Sequence, residues 1–353
     1  MQRRASRQIL VGSVAVGAGA PVVVQSMNSS PILNVEANLE ELECLAQTGC
    51  ELSRLAVPNS RAVEAFREIA ERSPLPLVAD IHFDYRLALG ALDAGAAALR
   101  LNPGNIHDQE GLKQVARRAK TKGIPIRVGV NSGSLDPKII AACGGVNCDA
   151  MVQSALEAVS LLEEQGFADI CLSLKASNPL LMIESNLKIA ALCDYPLHLG
   201  LTEAGPPKTG IIRSIAALSP LLYAGVGDTI RISLTADPVE EVKVAWELLK
   251  SLELRQRGPK LISCPGCGRT EVDIRPMAER VADYLSGISQ DLTVAVMGCA
   301  VNGPGEAREA DLGLAGGHEE FLVFKKGEII GKYPENEAFE VLCRLIDQTA
   351  GEN

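Results

Sequence analysis

Residues 126–130 read Ile-Arg-Val-Gly-Val, a short apolar run that contains a single arginine. Seven similar runs occur between residue 22 and residue 234, at positions 22–26, 52–57, 75–80, 97–101, 170–174, 197–201 and 230–234. Continuous apolar runs of this length are typical of strands that are buried on both faces of a parallel sheet. The run at 126–130 is therefore one of eight predicted strands.

Segments with helical spacing separate these strands, for example residues 59–72 and 238–251. Eight strand–helix units predict an α/β fold, a (β/α)8 TIM barrel, whose usual size is roughly 250 residues. A doubly wound open sheet is the structural alternative. It is disfavoured because no glycine-rich fingerprint follows the first strand.

The chain changes character after the polar segment 255–259, Arg-Gln-Arg-Gly-Pro, which is typical of a linker. A helical segment at 334–349 follows short β-like runs at 293–297, 312–315, 321–324 and 329–333. We therefore predict a TIM-barrel domain at 1–257 and a smaller α+β domain at 258–353.

Charge and cysteine content limit the partners and the compartment. The 353 residues include 34 Lys+Arg and 44 Asp+Glu, which gives a net charge of -10. An acidic surface repels phosphate backbones and anionic lipids, so we expect no nucleic-acid partner and no membrane partner. Ten scattered cysteines in an enzyme-sized chain predict a cytoplasmic protein with reduced thiols.

The N-terminal segment allows two interpretations. Three arginines, Arg3, Arg4 and Arg7, precede the small and apolar stretch 9–20, an arrangement that resembles a signal peptide. We favour a short hairpin at 9–17, with Gly12-Ser13 as its turn.

Five basic residues lie inside or at the ends of the predicted strands: Arg54, Arg100, Arg127, Lys175 and Arg231. A buried charge costs several kcal/mol unless it is paired or solvated. The functional mouth of a TIM barrel lies at the C-terminal ends of its strands, so we expect the five cations to converge there. Carboxylates such as Asp80, Glu203 and Asp237 would neutralise some of them, but too few acids are near for all five. The pattern favours a polyanionic ligand, most simply a diphosphate.

Further polar residues occur at the same strand ends: His82, Asn102, Asn105, Asn131, Ser173, His198, Thr202, Glu203 and Ser233. His198 lies within an apolar run, so a hydrogen-bonded core histidine is the simpler interpretation. Glu203 would be ionised beside several cations, but in a dry pocket it could donate a proton.

The second domain contains a candidate metal site, Cys264-Pro-Gly-Cys267 with Cys299 further along the chain. A fourth ligand would have to be Glu306, Cys343 or His318. Tetrahedral zinc is one alternative, but zinc sites of this type usually repeat the C-x2-C motif. An iron–sulfur cluster accepts three cysteines and one unusual ligand more readily. A redox disulfide is a third alternative, although no thioredoxin-like context surrounds the motif.

Long stretches of the chain resemble the family of bacterial 4-hydroxy-3-methylbut-2-enyl diphosphate synthases, which depend on flavodoxin or ferredoxin. The matching stretches are Val24-Gln-Ser-Met, Ala79-Asp-Ile-His-Phe-Asp-Tyr-Arg, Leu99-Arg-Leu-Asn-Pro-Gly-Asn, Arg127-Val-Gly-Val-Asn-Ser-Gly-Ser-Leu, His198-Leu-Gly-Leu-Thr-Glu-Ala-Gly, Asp237-Pro-Val-Glu-Glu, Cys264-Pro-Gly-Cys-Gly-Arg and Met297-Gly-Cys-Ala-Val-Asn-Gly-Pro-Gly-Glu-Ala. They occur in order along nearly the whole chain. The loop at 28–34, Asn186 and the segment 206–208 depart from the family pattern.

The resemblance implies a TIM barrel followed by a [4Fe-4S] domain related to sulfite reductase. It implies four cluster ligands: Cys264, Cys267, Cys299 and Glu306. It places Thr202 and Glu203 beside the reacting carbons. It implies that the diphosphate is held by Arg54, Arg100, Arg127, Asn131, Lys175 and Ser233. We add Arg231 and His82, from the same strand ends, to the predicted substrate-binding residues.

The implied reaction belongs to isoprenoid precursor synthesis. It is the reductive ring opening and dehydration of 2-C-methyl-D-erythritol 2,4-cyclodiphosphate to (E)-4-hydroxy-3-methylbut-2-enyl diphosphate. Reduced flavodoxin or ferredoxin would supply two electrons through the cluster. The resemblance also implies a head-to-tail homodimer, in which the cluster of a second subunit closes the barrel mouth.

Two other functions fit part of the sequence. A pterin-binding barrel related to dihydropteroate synthase explains the anion pocket but not the three cysteines. An iron–sulfur electron carrier or sensor explains the cysteines but not the five strand-end cations.

Overall fold

A computed structural model describes residues 2–82, 84–102, 108–270, 272–299, 309–318 and 320–351. The chain divides into two compact units, Met1–Arg255 and Gln256–Asn353. No described helix is long and apolar enough to cross a membrane.

The first unit contains eight parallel strands that form a ring. They are β3 (Val23–Met27), β4 (Leu52–Ala56), β5 (Leu77–Ile81), β6 (Ala98–Leu101), β7 (Ile126–Asn131), β8 (Ile170–Lys175), β9 (His198–Leu199) and β10 (Thr229–Ile230). Strand β3 pairs with β4 on one side and with β10 on the other. A parallel bridge between Leu172 and Leu197 joins β8 to the segment before β9. The predicted TIM barrel is therefore confirmed, and the open sheet is excluded.

Nine described helices follow the barrel strands: α1 (Val35–Thr48), α2 (Ser60–Arg72), α3 (Tyr85–Asp93), α4 (Gln109–Lys122), α5 (Pro137–Ala142), α6 (Cys148–Glu163), α7 (Pro179–Leu192), α8 (Pro207–Tyr223) and α9 (Pro238–Ser251). Short polar side chains begin many of them. Asn59 accepts a hydrogen bond from the backbone of Ala62, and Asp108 accepts one from Gly111. Such caps satisfy backbone N–H groups that have no partner within the helix.

The seventh and eighth strands are shorter than predicted. Apolar character extends over 197–201 and 230–234, but the strands themselves span only His198–Leu199 and Thr229–Ile230. Beyond them Gly200 lies against the carbonyl of Arg231 and the side chain of Lys175. The regular ladder thus ends where the chain turns toward the charged end of the barrel.

The predicted N-terminal hairpin is present as β1 (Ile9–Val11) and β2 (Val14–Val16), with Gly12 at a φ of 59° in the turn. Its apolar side chains pack with those of the first residues of the barrel strands, including Val23 and Leu52. The N-terminal ends of the strands are therefore covered by apolar surface, which leaves the opposite end for the site.

The described residues of the second unit form a five-stranded sheet and two helices. Its strands are β11 (Lys260–Ser263), β12 (Thr293–Met297), β13 (Leu312–Gly317), β14 (Glu320–Lys325) and β15 (Glu328–Tyr333), in that order across the sheet. Helices α10 (Ile274–Leu285) and α11 (Glu335–Gly351) share one core with the sheet. The predicted strands and closing helix are present, whereas β11 and α10 were not predicted.

Candidate functional site

The C-terminal ends of the barrel strands enclose a polar cavity of about 240 Å³. Eight predicted site residues line it: Arg54, His82, Arg100, Asn131, Lys175, Thr202, Arg231 and Ser233. Alternate residues of a strand point to the same face, so residues two apart on β7 or β8 both face the barrel interior. Ser173 and Lys175 on β8 illustrate this, since both line the cavity.

Asp80 is the counter-ion that two arginines share. Its carboxylate lies 3.1 Å from Arg100 Nη1 and 3.5 Å from Arg54 Nε, with His82 Nε2 at 3.4 Å. Burial by itself would raise the pKa of Asp80, but the Arg54 charge, the His82 hydrogen bond and the Arg100 charge outweigh it. The pKa of this carboxyl is therefore held well below its usual range, and Asp80 stays ionised.

Glu241 is a site residue that the sequence analysis missed. It lies on α9 and is only 3% exposed, and its carboxylate accepts a hydrogen bond from Arg231 Nη2 at 3.2 Å. Asp237 was predicted to neutralise one of the strand-end cations. It instead caps α9, where its carboxylate accepts a hydrogen bond from the backbone N–H of Val239. Its position in the sequence could have identified Glu241 as a buried acid, because it lies one turn into an amphipathic helix, among residues that are buried.

Lys175 is a basic group of the cavity that lacks a counter-ion in the described part of the chain. Among the described residues it has no carboxylate within 4.0 Å, and it is 8% exposed. Burial, followed by the charges of Arg54 and Arg231, lowers its pKa well below the ordinary value. Burial also lowers the pKa of Arg54 to about 9, although Asp80 opposes this shift. The cavity therefore has an excess of positive charge that a bound anion would relieve.

Arg127 lies lower in the barrel than expected. It is the second residue of β7, so about four residues at ~3.3 Å each separate it from Asn131 at the strand end. Its Nη1 donates to Gln25 Oε1, and its Nε and Nη2 are buried with no partner among the described residues. It lines a smaller cavity beside the hairpin. The expectation that all five cations meet at the mouth is wrong for Arg127.

Two glycines make room for the cations. A Cβ at Gly129 would lie 2.6 Å from Arg100 Nε. A Cβ at Gly200 would lie 2.7 Å from the carbonyl oxygen of Arg231 and 3.0 Å from Lys175 Nζ. The distances of 2.6 Å and 2.7 Å are shorter than real Cβ contacts. A side chain at position 129 would therefore displace the Arg100 guanidinium, and one at position 200 would press on the backbone of Arg231. Both glycines lie within motifs of the sequence that gave no sign of this role.

Thr202 and Glu203 occupy different places at the mouth. Thr202 lines the cavity, and its backbone N–H donates to the carbonyl of Ala176. Glu203 is exposed, does not line the cavity, and has a φ of 53°. A non-glycine residue in this left-handed region carries strain, which is a feature of functional loops. Arg213 donates to the carbonyls of Ala204 and Ser177 and so joins this loop to the end of β8.

Two of the remaining polar candidates, His198 and Asn102, have hydrogen-bond partners in the barrel. His198 is fully buried, and its Nδ1 shares a hydrogen bond with Thr229 Oγ1. Burial and the nearby cations lower the pKa of His198 well below its ordinary value, so the ring is neutral. This confirms the core-histidine interpretation. Asn102 donates to Ser134 Oγ at 2.9 Å, and Asn105 lies outside the described residues.

The cysteine motif lies on loops of the second unit. The backbone N–H of Gly298, beside buried Cys299, donates to Cys264 Sγ at 3.1 Å. Cys267 is exposed, and hydrogen bonds from Arg269 lower its pKa. All ten cysteines are described, and none forms a disulfide. Glu306 lies outside the described residues, and within the described part of the chain no three His, Cys, Asp or Glu side chains form a group that could hold a metal ion.

The geometry is that of a TIM barrel with a cationic mouth, joined to a separate α+β domain. Two family models match this combination of domains, one for each domain. The model described as the GcpE TIM-barrel domain matches residues 6–246, and the model described as the GcpE protein C-terminal domain matches residues 260–348. The chain therefore belongs to the GcpE family.

Relatives in curated collections carry one name, 4-hydroxy-3-methylbut-2-en-1-yl diphosphate synthase (flavodoxin). The protein from Salinispora arenicola is 50% identical over 99% of this chain and 91% of its own length. The one from Clostridium tetani is 49% identical over 98% of this chain and 99% of its own, and that from Bacillus licheniformis is 50% identical over 99% and 95%. The family resemblance of the sequence is confirmed.

Two solved structures resemble this chain over 70% of its length. Dihydropteroate synthase from Vibrio fischeri has a TM-score of 0.52 at 13% identity, and it covers 70% of this chain and 99% of its own. A truncated 3-deoxy-D-arabino-heptulosonate 7-phosphate synthase from Thermotoga maritima has a TM-score of 0.51 at 15% identity, with 70% and 91% covered. At such identities the likeness concerns the fold and not the reaction.

Proposed function

We propose that this chain converts 2-C-methyl-D-erythritol 2,4-cyclodiphosphate to (E)-4-hydroxy-3-methylbut-2-enyl diphosphate, a step of isoprenoid precursor synthesis. Family membership makes it an oxidoreductase whose relatives are named for the product and for flavodoxin. The reaction takes up two electrons and releases one water. The bounds 1–257 for the substrate domain and 258–353 for the cluster domain are part of the proposal.

The observation that carries the proposal is the uncompensated charge of the cavity. Arg54 and Arg100 share one carboxylate, and Lys175 has none within 4.0 Å among the described residues. A diphosphate is compact, strongly anionic and suited to forked guanidinium donors. Its binding would replace costly repulsion between buried cations with paired charges.

The proposed roles follow from position. Arg54, Arg100, Arg231 and Lys175 would hold the diphosphate, and His82, Asn131 and Ser233 would donate or accept hydrogen bonds at its edge. Arg127 would act from below, where its unpartnered Nε and Nη2 require an acceptor. Held in this way, the substrate would present its carbon skeleton to the mouth, beside Thr202.

Glu203 is the proposed proton source for the departing water, with Thr202 beside it. The strained backbone of Glu203 and its place on the loop that Arg213 fixes support this role. A carboxyl group beside the reacting atoms can deliver a proton as a general acid.

Cys264, Cys267, Cys299 and Glu306 are the proposed ligands of a [4Fe-4S] cluster. Two features of the described residues support this proposal: Gly298 donates its N–H to Cys264 Sγ, and hydrogen bonds lower the pKa of Cys267 toward the thiolate. When bound, the cluster supplies single electrons and an iron that can accept an oxygen ligand.

The proposed partners are reduced flavodoxin or ferredoxin and a second copy of the chain in a head-to-tail homodimer. Four exposed apolar side chains on two neighbouring helices support self-association: Leu180 and Leu187 on α7, and Ile212 and Tyr223 on α8. A mass measurement in solution tests this, and a monomer at micromolar concentration would overturn it. A cytoplasmic location is proposed because all ten cysteines are free thiols.

The experiment is anaerobic purification with iron and sulfide analysis, followed by turnover of the cyclic diphosphate with reduced flavodoxin. We expect about four irons and four sulfides per chain, broad absorption near 400 nm and formation of the allylic diphosphate. A protein that carries zinc, or an iron-loaded protein that leaves the cyclic diphosphate unchanged, would contradict the proposal.

A further inference from the structure

The carboxylate of Glu241 lies behind the cavity rather than in it. Arg231 lines the cavity, whereas Glu241 does not, and its side chain is only 3% exposed. A buried carboxylate that no substrate could reach directly must act through its neighbours. Its neighbours therefore define what it does.

Both oxygens of Glu241 are occupied. Oε1 accepts from the backbone N–H of Leu234 at 2.9 Å and from Arg231 Nη2 at 3.3 Å. Oε2 accepts from Arg231 Nη2 at 3.2 Å and from Ser26 Oγ at 3.4 Å. A carboxylate offers two acceptor oxygens to these three donor residues. A glutamine amide would offer one oxygen, and its NH2 group would face N–H and O–H groups that also donate.

These contacts join three parts of the barrel. Ser26 lies on β3, Arg231 and Leu234 follow β10, and Glu241 lies on α9. Strand β10 pairs for two residues, and beyond them the backbone N–H of Arg231 still donates to the carbonyl of Leu199. Strand pairing therefore fixes the backbone of Arg231 but not its guanidinium. The orientation of the Arg231 guanidinium thus depends on Glu241 rather than on strand pairing.

We propose that Glu241 is a positioning residue, which fixes the Arg231 guanidinium in the orientation that binds the diphosphate of the substrate. This inference rests on the proposed function. A guanidinium held in one orientation loses less conformational entropy when it binds an anion, so preorganisation increases affinity.

A double-mutant cycle tests the inference, with inorganic diphosphate as the probe and calorimetric binding as the readout. The variants are Glu241→Ala, Arg231→Met and the pair together, each checked for native thermal unfolding. Glu240→Gln is the matched control, because Glu240 is the preceding residue of the same helix, is half exposed and pairs with Lys243. Glu241→Gln keeps the side-chain volume and one acceptor oxygen, and it replaces Glu241→Ala in the cycle if that variant does not fold.

We expect Glu241→Ala to weaken diphosphate binding about tenfold, as for loss of one charge-assisted hydrogen bond. In the Arg231→Met background, Glu241→Ala should lower diphosphate affinity less than about twofold, because the effects of substitutions at two coupled residues do not add. Glu241→Gln should recover part of the loss, and Glu240→Gln should bind like the wild type. With substrate, the change should raise KM more than it lowers kcat.

Two results would overturn the inference while leaving the proposed function intact. The first is equal loss in both backgrounds, which would mean that Glu241 acts independently of Arg231. The second is wild-type affinity of Glu241→Ala or Glu241→Gln. A wild-type protein that binds no diphosphate would instead overturn the inference and the proposed function together.

Discussion

The guanidinium of Arg100 lies directly over Gly129 on the neighbouring strand. A Cβ at position 129 would stand 2.6 Å from Arg100 Nε and 2.9 Å from its Nη2. Arg100 is only 5% exposed and bonded to Asp80, so it has little room to move away. The identity of a residue that carries no functional group thus determines where a charge can lie.

Replacement of Gly129 by Ala should therefore displace Arg100 and weaken binding of inorganic diphosphate. Overpacking of this kind costs about 1–3 kcal/mol, which corresponds to a loss of affinity of roughly five- to 140-fold if the strain falls on the bound state. Calorimetric titration measures it. Gly133→Ala is the control, because a Cβ there meets no atom within 4 Å. Equal affinities of the two variants would contradict the argument.

Lys175 should take up a proton when diphosphate binds. Burial and the cations Arg54 and Arg231 hold its pKa well below the ordinary value in the free protein. An anion beside the amine favours the charged form and raises that pKa, so the bound state holds more protons. Affinity should therefore fall as pH rises through the pKa of the bound state.

Calorimetry in buffers of different ionisation enthalpy measures the protons taken up. Lys175→Met should bind more weakly and should take up fewer protons than the wild type at the same pH. Identical proton uptake by the two proteins would show that Lys175 is already charged in the free barrel.

Glu203→Gln should abolish turnover because the amide cannot deliver a proton. General acid catalysis contributes about 10²–10⁴ in rate, so the loss should lie in that range. Iron content and the visible spectrum should stay unchanged. Glu253→Gln is the matched control, because Glu253 is also exposed and also has a positive φ, of 55°, but lies just after α9. Turnover by Glu203→Gln at the rate of this control would rule out the role.

Asp228 should be a residue for stability and not for catalysis. It is 3% exposed, and it accepts from Arg3 at 3.0 Å, from Ser6 and from the backbone of Leu197. Its removal leaves buried donors without a partner, which costs about 3–5 kcal/mol. Urea unfolding of Asp228→Ala should show that loss.

The exposed ion pair of Arg7 and Asp194 provides the comparison for Asp228. Asp194→Ala should cost about 1 kcal/mol or less, because its carboxylate is 56% exposed. Turnover per folded molecule should be unchanged in both variants. Similar losses of stability in the two would mean that the arm containing Arg3 does not depend on Asp228.

Much of the fold was encoded in local pattern. Two-face burial produces continuous apolar runs, which located all eight barrel strands, and glycine turn chemistry located the hairpin at Gly12. Strand β11 was not predicted, because it is a four-residue edge strand with exposed ends and therefore shows no apolar run. The helix α10 was not predicted either, although its buried residues Ile274, Met277, Val281 and Leu285 have the spacing of an amphipathic helix.

The sequence by itself determined which charges enter the barrel, since an arginine inside an apolar strand must lie in the interior. Only the tertiary structure decided how they are paired. Asp80 serves Arg54 and Arg100, Glu241 comes to Arg231 from a helix, and Arg127 meets Gln25 below the mouth. Closure of the ring sets these distances, because it brings together residues from strands far apart in the chain, and no local pattern records that closure.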